Sequence, residues 1–531
     1  MKNKWIALVA LCFAELLVMV DNTIVNVALP TLGRDLDAGI SGLQWIVDAY
    51  TLVFAGLLLA GGYLGDRFGH RKMLAIGVVG FMAVSVAAAL STTLGQLITT
   101  RAGLGMFAAL VFPATLALIV ATFTEAKERA AAVGVWAATS GMAVAIGPVL
   151  GGWLLNHFSW ASVFWVNVPF GALALGAVLL VIPAPAKRSI ALPRFDVAGV
   201  VLSVAGLGLL TYSVIEGPTV GWLTWRTIGG LVVAVAILGI FVVHQLRIAH
   251  PIFNVALFAN RRFAGAAGMI AVAFFALFGF IFLITQFFQA VMGYTPLQAG
   301  VRTLPFALVV AALSPVAMVA SHRFGPRVVA VIGALLMATG FGLVEFIDRD
   351  STYFGLIIWS MMLMAAGLAL ISGPCTQVIM DALTPEQAGA GSAINDTTRE
   401  IGGTLGVAVL GSVLTSVYVA NVGVRLTDLG VPAPARDIAQ QSVMAGVEVA
   451  LRSPGQAVDA VRAAVADVFI DGLQQATWVA VGISVVSAVV GGWALGGSRS
   501  DTDDGRVNGA ESSSADEEIN QTAPVGLSHQ V

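Results

Sequence analysis

About fourteen apolar stretches, each roughly twenty residues long, follow one another along this chain and leave few folds open to it. They lie near residues 5–29, 42–63, 73–93, 96–119, 131–155, 163–183, 197–216, 226–246, 264–289, 301–320, 328–347, 353–379, 391–418 and 474–497. A run of that length crosses the hydrocarbon core of a bilayer as a helix, which satisfies its own backbone hydrogen bonds where water is absent. The expected fold class is an all-α polytopic membrane protein. Composition rules out a soluble globule. Of 531 residues, 58% are hydrophobic and 11% charged, with mean hydropathy +0.90, whereas about a quarter of a soluble domain is charged. The first run contains Glu15 and Asp21, lacks a small-residue cleavage site and is too long for a signal peptide, so it reads as a retained span.

The net charge of −3 conceals a strong segregation. Lys2, Lys4, Arg67, Arg71, Lys72, Lys127, Arg129, Lys187, Arg188, Arg194, Arg247, Arg261, Arg262, Arg323 and Arg327 fall on one side of this threading, and the opposite short loops hold little beyond Arg34, Arg226, Arg302 and Arg349. By the positive-inside rule both termini are expected to be cytoplasmic. Charge placed this way orients a membrane protein and gives no sign of a nucleic-acid partner. Cys12 and Cys375 sit inside apolar runs, far apart in sequence, and make no disulfide framework.

Between the second and third runs lies a charged knot, Gly62-Tyr63-Leu64-Gly65-Asp66-Arg67-Phe68-Gly69-His70-Arg71-Lys72. Its glycines permit a tight turn, and Asp66 either pairs with Arg67 or faces the positive end of another helix as a latch. His322-Arg323-Phe324-Gly325-Pro326-Arg327 echoes it with His322 in place of the acid. Such a repeat implies two related halves. The expected division is a six-helix bundle over 1–183, a linker and inserted two-helix hairpin over 184–250, and a second six-helix bundle over 251–497. An extracytoplasmic loop near 420–472, whose amphipathic spacing leaves room for short surface helices, interrupts the second bundle, and a disordered cytoplasmic tail occupies 498–531.

Charges inside spans are costly and invite a functional reading. Asp21, Asp48 and Arg101 are expected at similar depths, where they form a proton switch in which protonating the acids releases the arginine; the alternative is a fixed structural pair. Glu15 lies on another face of the first helix, either hydrogen-bonded between helices or facing the cavity. Thr23 and Asn26 share one face, for interhelical hydrogen bonding or for lining a pore. Asp396 is three residues from Arg399 and pairs with it, whereas Glu400, near mid-membrane, is placed in the substrate cavity. Gly147, Pro148, Gly151 and Gly152 give the fifth helix a bend and a surface for close packing.

The charged knot resembles the loop between the second and third helices of the major facilitator superfamily. Asp21-Asn22-Thr23-Ile24-Val25-Asn26-Val27-Ala28-Leu29-Pro30 is similar to the first-helix motif of its fourteen-helix drug:proton antiporters, and Gly147-Pro148-Val149-Leu150-Gly151-Gly152 to the motif of its exporters. Phe164 to Gly171 keeps F-x-x-N-V-P-x-G. The resemblance implies a 6+2+6 arrangement, proton transfer through Arg101, and an inner gate in which Asp66 caps the start of the thirteenth helix with Gly62, Gly65, Arg67, Gly69, Arg71 and Lys72 around it. It also implies control of the two openings by the Gly147-Pro148 helix.

No phosphate loop, zinc-ligand pair, nucleophile elbow or nucleotide fingerprint occurs. The expectation is therefore a secondary transporter of the plasma membrane, not an enzyme, with no cofactor beyond the proton gradient. It exports amphipathic, often cationic or aromatic drugs and antibiotics by alternating access, in the manner of the actinobacterial exporters, with protons and the bilayer as its other partners and a monomer as a plausible state. Export of a native lipid or metabolite is the nearest alternative. A membrane sensor or scaffold is the alternative from another class, and the buried acids argue against it.

Overall fold

The computed structural model describes residues 4–182, 195–383, 388–454 and 457–496. The expected linker, including Lys187, Arg188 and Arg194, and the expected tail lie outside the described residues. Among the described residues there is no strand, and fourteen helices are long and apolar enough to cross a membrane. They are α1 (Lys4–Asp35), α2 (Ile40–Phe68), α3 (His70–Ala89), α4 (Leu94–Thr122), α5 (Ala131–His157), α6 (Ser162–Val181), α7 (Val197–Val220), α8 (Trp225–Arg247), α9 (Arg261–Val291), α10 (Pro296–Phe324), α11 (Pro326–Phe346), α12 (Tyr353–Asp381), α13 (Ala393–Asp428) and α14 (Ala457–Ala494).

Basic residues gather at one end of this bundle. Lys4 pairs with Glu128, Trp5 meets Phe123 edge-on at 5.3 Å, Arg71 Nη2 donates to the Leu179 carbonyl over 2.8 Å, and Arg327 lies against Gly496. These contacts bring the starts of α1, α3, α5 and α11 together with the ends of α4, α6 and α14. The expected echo between α2–α3 and α10–α11 is real in the backbone: Gly69 (φ 94°) and Gly325 (φ 85°) each make a one-residue break in the left-handed region, where other residues are strained.

Helices α1–α6 pack on one another, as do α9–α14, and α5 against α10 and α2 against α13 join the two groups. The α7–α8 hairpin lies outside, with α7 touching both α2 and α13. Asp196 fixes the base of the hairpin. Its Oδ1 accepts from the Gly199 amide at 2.8 Å and lies 2.7 Å from His244 Nε2, and its Oδ2 accepts from Gln245 Nε2 at 2.6 Å. Burial opposes the charge, but the bonds from His244, Gly199 and Gln245 outweigh it and hold the Asp196 carboxyl below its ordinary value.

The segment expected as a loop near 420–472 is mostly helix. α13 runs on to Asp428 because Leu414, Tyr418, Val422 and Leu426 continue one fully buried stripe at four-residue spacing. α14 starts at Ala457 instead of near 474 for the same reason, with Val461, Val465, Val468 and Phe469 buried. Two short helices, Ala433–Gln441 and Val443–Leu451, connect them, and the Tyr418 hydroxyl ties this connection down by donating to the carbonyls of Ala439 (3.0 Å) and Ser442 (3.3 Å).

Candidate functional site

Asp21 is fully buried in α1 and is held by two donors. Arg101 of α4 donates from Nη1 to its Oδ2 at 2.7 Å, and Asn167 of α6 donates to its Oδ1 at 2.7 Å while also reaching Ser85 Oγ of α3 at 3.1 Å. Arg101 is itself fully buried. Its Nε donates to the Ile46 carbonyl of α2 at 2.9 Å, its guanidinium stacks 4.4 Å from the Tyr50 ring, and its Nη2 has no hydrogen-bond partner among the described residues. One ion pair therefore fastens α1, α2, α4 and α6. Asn167 and Tyr50 were not expected in it. The signal for Asn167 was its place beside Pro169 at a break in α6, where Val166 separates two helical segments.

Asp48 does not join the ion pair. Ile46 and Tyr50, four residues apart, face Arg101, and Asp48 lies between them on the other side of α2. It shares its face with Gln44 and Thr51, which meet α13. Gln44 Nε2 donates to the carbonyls of Val407 (3.0 Å) and Ala408 (2.9 Å), and Thr404 Oγ1 lies 2.9 Å from Thr51 Oγ1. One turn from Thr404 stands Glu400, 9% exposed. Neither oxygen of Asp48 and not Oε2 of Glu400 has a hydrogen-bond partner among the described residues. Asp396 lies 3.6 Å from Arg399 as an i, i+3 pair, and Glu15 is fully buried in α1 near Cys12.

Thr23 and Asn26 line a cavity of about 10 Å³ with Asn22, Val47, Phe278, Ile281 and Val407, so it is walled by both groups of helices. It is large enough for about one water. Thr23 Oγ1 also donates to the Ala143 carbonyl of α5 at 3.0 Å. The glycines of α5 explain their positions by what surrounds them. A methyl on Gly147 would stand 2.0 Å from Thr23 Oγ1, and one on Gly152 would stand 2.5 Å from the Pro296 carbonyl oxygen of α10. From the other side, a methyl on Gly300 would stand 2.1 Å from the Pro148 oxygen, and a methyl on Gly151 would meet Ile24. α5 is thus pressed between α1 and α10. With Gln289 Nε2 donating to the Val27 carbonyl at 2.9 Å, these contacts between the two groups run from mid-bundle to the end away from the basic residues.

At the basic end, Asp66 lies 3.0 Å from His70 Nε2 and is largely exposed. Gly65 makes room for that ring, since a methyl there would stand 2.3 Å from His70 Nδ1. Arg67 reaches the Tyr63 hydroxyl at 3.4 Å, Lys72 is exposed, and Gly62 approaches Pro113 of α4.

The family model described as Major Facilitator Superfamily matches residues 11–407. The chain belongs to that superfamily. Among curated relatives, the multidrug resistance protein Stp of Mycobacterium tuberculosis is 36% identical over 85% of this chain and 83% of its own length. The tetracenomycin C resistance and export protein of Streptomyces glaucescens is 33% identical over 92% and 91%, and the multidrug efflux pump LfrA of Mycolicibacterium smegmatis 34% identical over 93% and 96%. The solved structure of a bacterial homolog of the human lysosomal transporter Spinster superposes with TM-score 0.63 at 18% identity, covering 93% of this chain and 97% of that one, which is a likeness of fold. As a major facilitator protein with fourteen apolar helices, the chain is a multi-pass secondary transporter of the plasma membrane and not an enzyme.

Proposed function

We propose that this protein exports amphipathic, often cationic or aromatic drugs and antibiotics in exchange for protons, with its basic end in the cytoplasm. The drug and antibiotic resistance proteins among its relatives support the substrate class. The observation that carries the mechanism is the buried pair of Asp21 and Arg101. A proton arriving at Asp21 removes the charge that holds Arg101 and frees the guanidinium, which is also bonded to the α2 carbonyl of Ile46, to shift. α2 in turn grips α13 through Gln44 and Thr51, so protonation at one residue bears on the seam between the two groups of helices. Thr23, two residues from Asp21, extends the same influence to α5 and its packing on α10. Opening of that seam exposes the space lined by Thr23 and Asn26, and the acids Asp48 and Glu400 at the α2–α13 contact serve a cationic substrate. The gate loop around Asp66 closes the basic end when the opposite end opens, which is alternating access.

Ethidium efflux from energised cells tests this reading. Efflux that collapses with a protonophore and fails in Asp21→Asn, at equal membrane content, is the expected result. Efflux indifferent to both overturns the proton coupling, and a parent that moves no dye turns attention to a dedicated native lipid or metabolite.

A further inference from the structure

A groove of about 540 Å³ opens on the outside of the bundle between the start of α11 and the end of α14. Its walls are Val328, Val331, Ile332, Ala488 and Val489, and its floor is Gly492, where a methyl would stand 2.9 Å from Val331 Cγ2. Val489 is 67% exposed and Trp493 63% exposed, so among the described residues no other helix covers the groove. Arg327 stands at its mouth, with its guanidinium laid over the last turn of α14 at Gly496. The C-terminal end of a helix favours a cation there. A second guanidinium, that of Arg261 at the start of α9, sits 4.5 Å from the Trp493 ring. Neither Arg261 nor Arg327 has a carboxylate partner among the described residues.

The position of the groove decides what fits it. It lies where α11 begins and α14 ends, at the level of the bilayer surface, and an indole flanked by arginines is the usual anchor at that level. Apolar walls below and two guanidinia above match a molecule with a hydrocarbon chain and an anionic head. Guanidinia bind phosphate oxygens in paired hydrogen bonds. We infer that this groove is a binding site for an anionic phospholipid, with one acyl chain laid along Val328, Val331 and Val489 and the phosphodiester held by Arg327 and Arg261 beside Trp493. The site is remote from Asp21 and is separate from the path of exported substrate. A bound lipid here braces α11 against α14.

The test is native mass spectrometry of the full-length protein in detergent, titrated with phosphatidylglycerol, with phosphatidylcholine, and with glycerol 3-phosphate as the free head. The parent is expected to retain phosphatidylglycerol, and the Arg327→Ala/Arg261→Ala variant to lose about 30-fold in affinity, on the contribution of two arginines near a membrane surface. Val489→Trp, which fills the groove and leaves both arginines in place, is expected to lose it as well. Unchanged melting of both variants without lipid shows that they are folded. Equal retention of phosphatidylcholine, equal binding of glycerol 3-phosphate, or undiminished retention in either variant overturns the proposal; in the last case with Val489→Trp alone, the arginines attract lipid without the groove.

Discussion

Arg101 and Asp21 form a 2.7 Å ion pair in which both side chains are fully enclosed. Two charges taken out of water together must compensate one another, and losing one partner of a buried pair typically costs about 3–5 kcal/mol. Asp21→Asn and Arg101→Met are each expected to lower the melting temperature and to abolish efflux. In the double variant no charge is left unpaired, so stability returns most of the way while efflux does not. Melting in detergent and dye efflux, read as a double-mutant cycle, check this; a double variant as unstable as the sum of the singles contradicts the pairing.

Gly300 and Pro148 predict how the far end closes. A side chain at Gly300 cannot coexist with a carbonyl oxygen 2.1 Å from its Cβ. Gly300→Val is therefore expected to spread α5 from α10 while each group of helices stays folded. Spin labels on Arg34→Cys and Phe346→Cys should move apart relative to the parent, and efflux should fall by at least about tenfold, the effect of roughly 1.4 kcal/mol on one conformational step. Both native cysteines are buried and leave the labelling clean. An unchanged distance argues that α5 and α10 do not form the gate.

The Asp196 clasp has a defined acid limit. Its carboxyl is held below the ordinary value in the folded protein, so its contribution is present above the unfolded-state value of about 3.9 and is lost as pH falls through the lower folded value. Asp196→Asn, which weakens a helix cap and the bond to His244, is expected to cost about 1–2 kcal/mol at pH 7. The gap between the melting temperatures of parent and variant should shrink below about pH 4. A gap that stays constant to pH 3 would falsify the assignment.

What the sequence disclosed follows physical lines. The spans were legible because twenty apolar residues have one solution in a bilayer, and the depths of Asp21 and Arg101 followed from counting residues along helices of known rise. The ends of α13 and α14 were misjudged because buried stripes such as Leu414-Tyr418-Val422-Leu426 persist after the average hydropathy falls. Depth does not specify azimuth, which is why Asp48 was grouped with Arg101 and in fact turns toward α13. Asn167 carries no charge to betray its burial, and the reach of Gln44 into α13 needs the packing of the two groups of helices, which no local pattern contains.

Asp48 yields the last prediction. Its carboxylate is enclosed with neither oxygen hydrogen-bonded among the described residues, and a polar group buried in that way costs about 1–3 kcal/mol, more if charged. A residue retained at such a cost is kept for what it does in another state of the transport cycle. Asp48→Leu, which keeps the branching and heavy-atom count of aspartate and carries no polar atoms, is therefore expected to raise the melting temperature and to reduce efflux together. That opposition separates it from Asp21, where the substitution lowers both. If Asp48→Leu destabilises the protein, the carboxylate has a structural partner in the membrane, and its role as a cavity acid in this transporter falls.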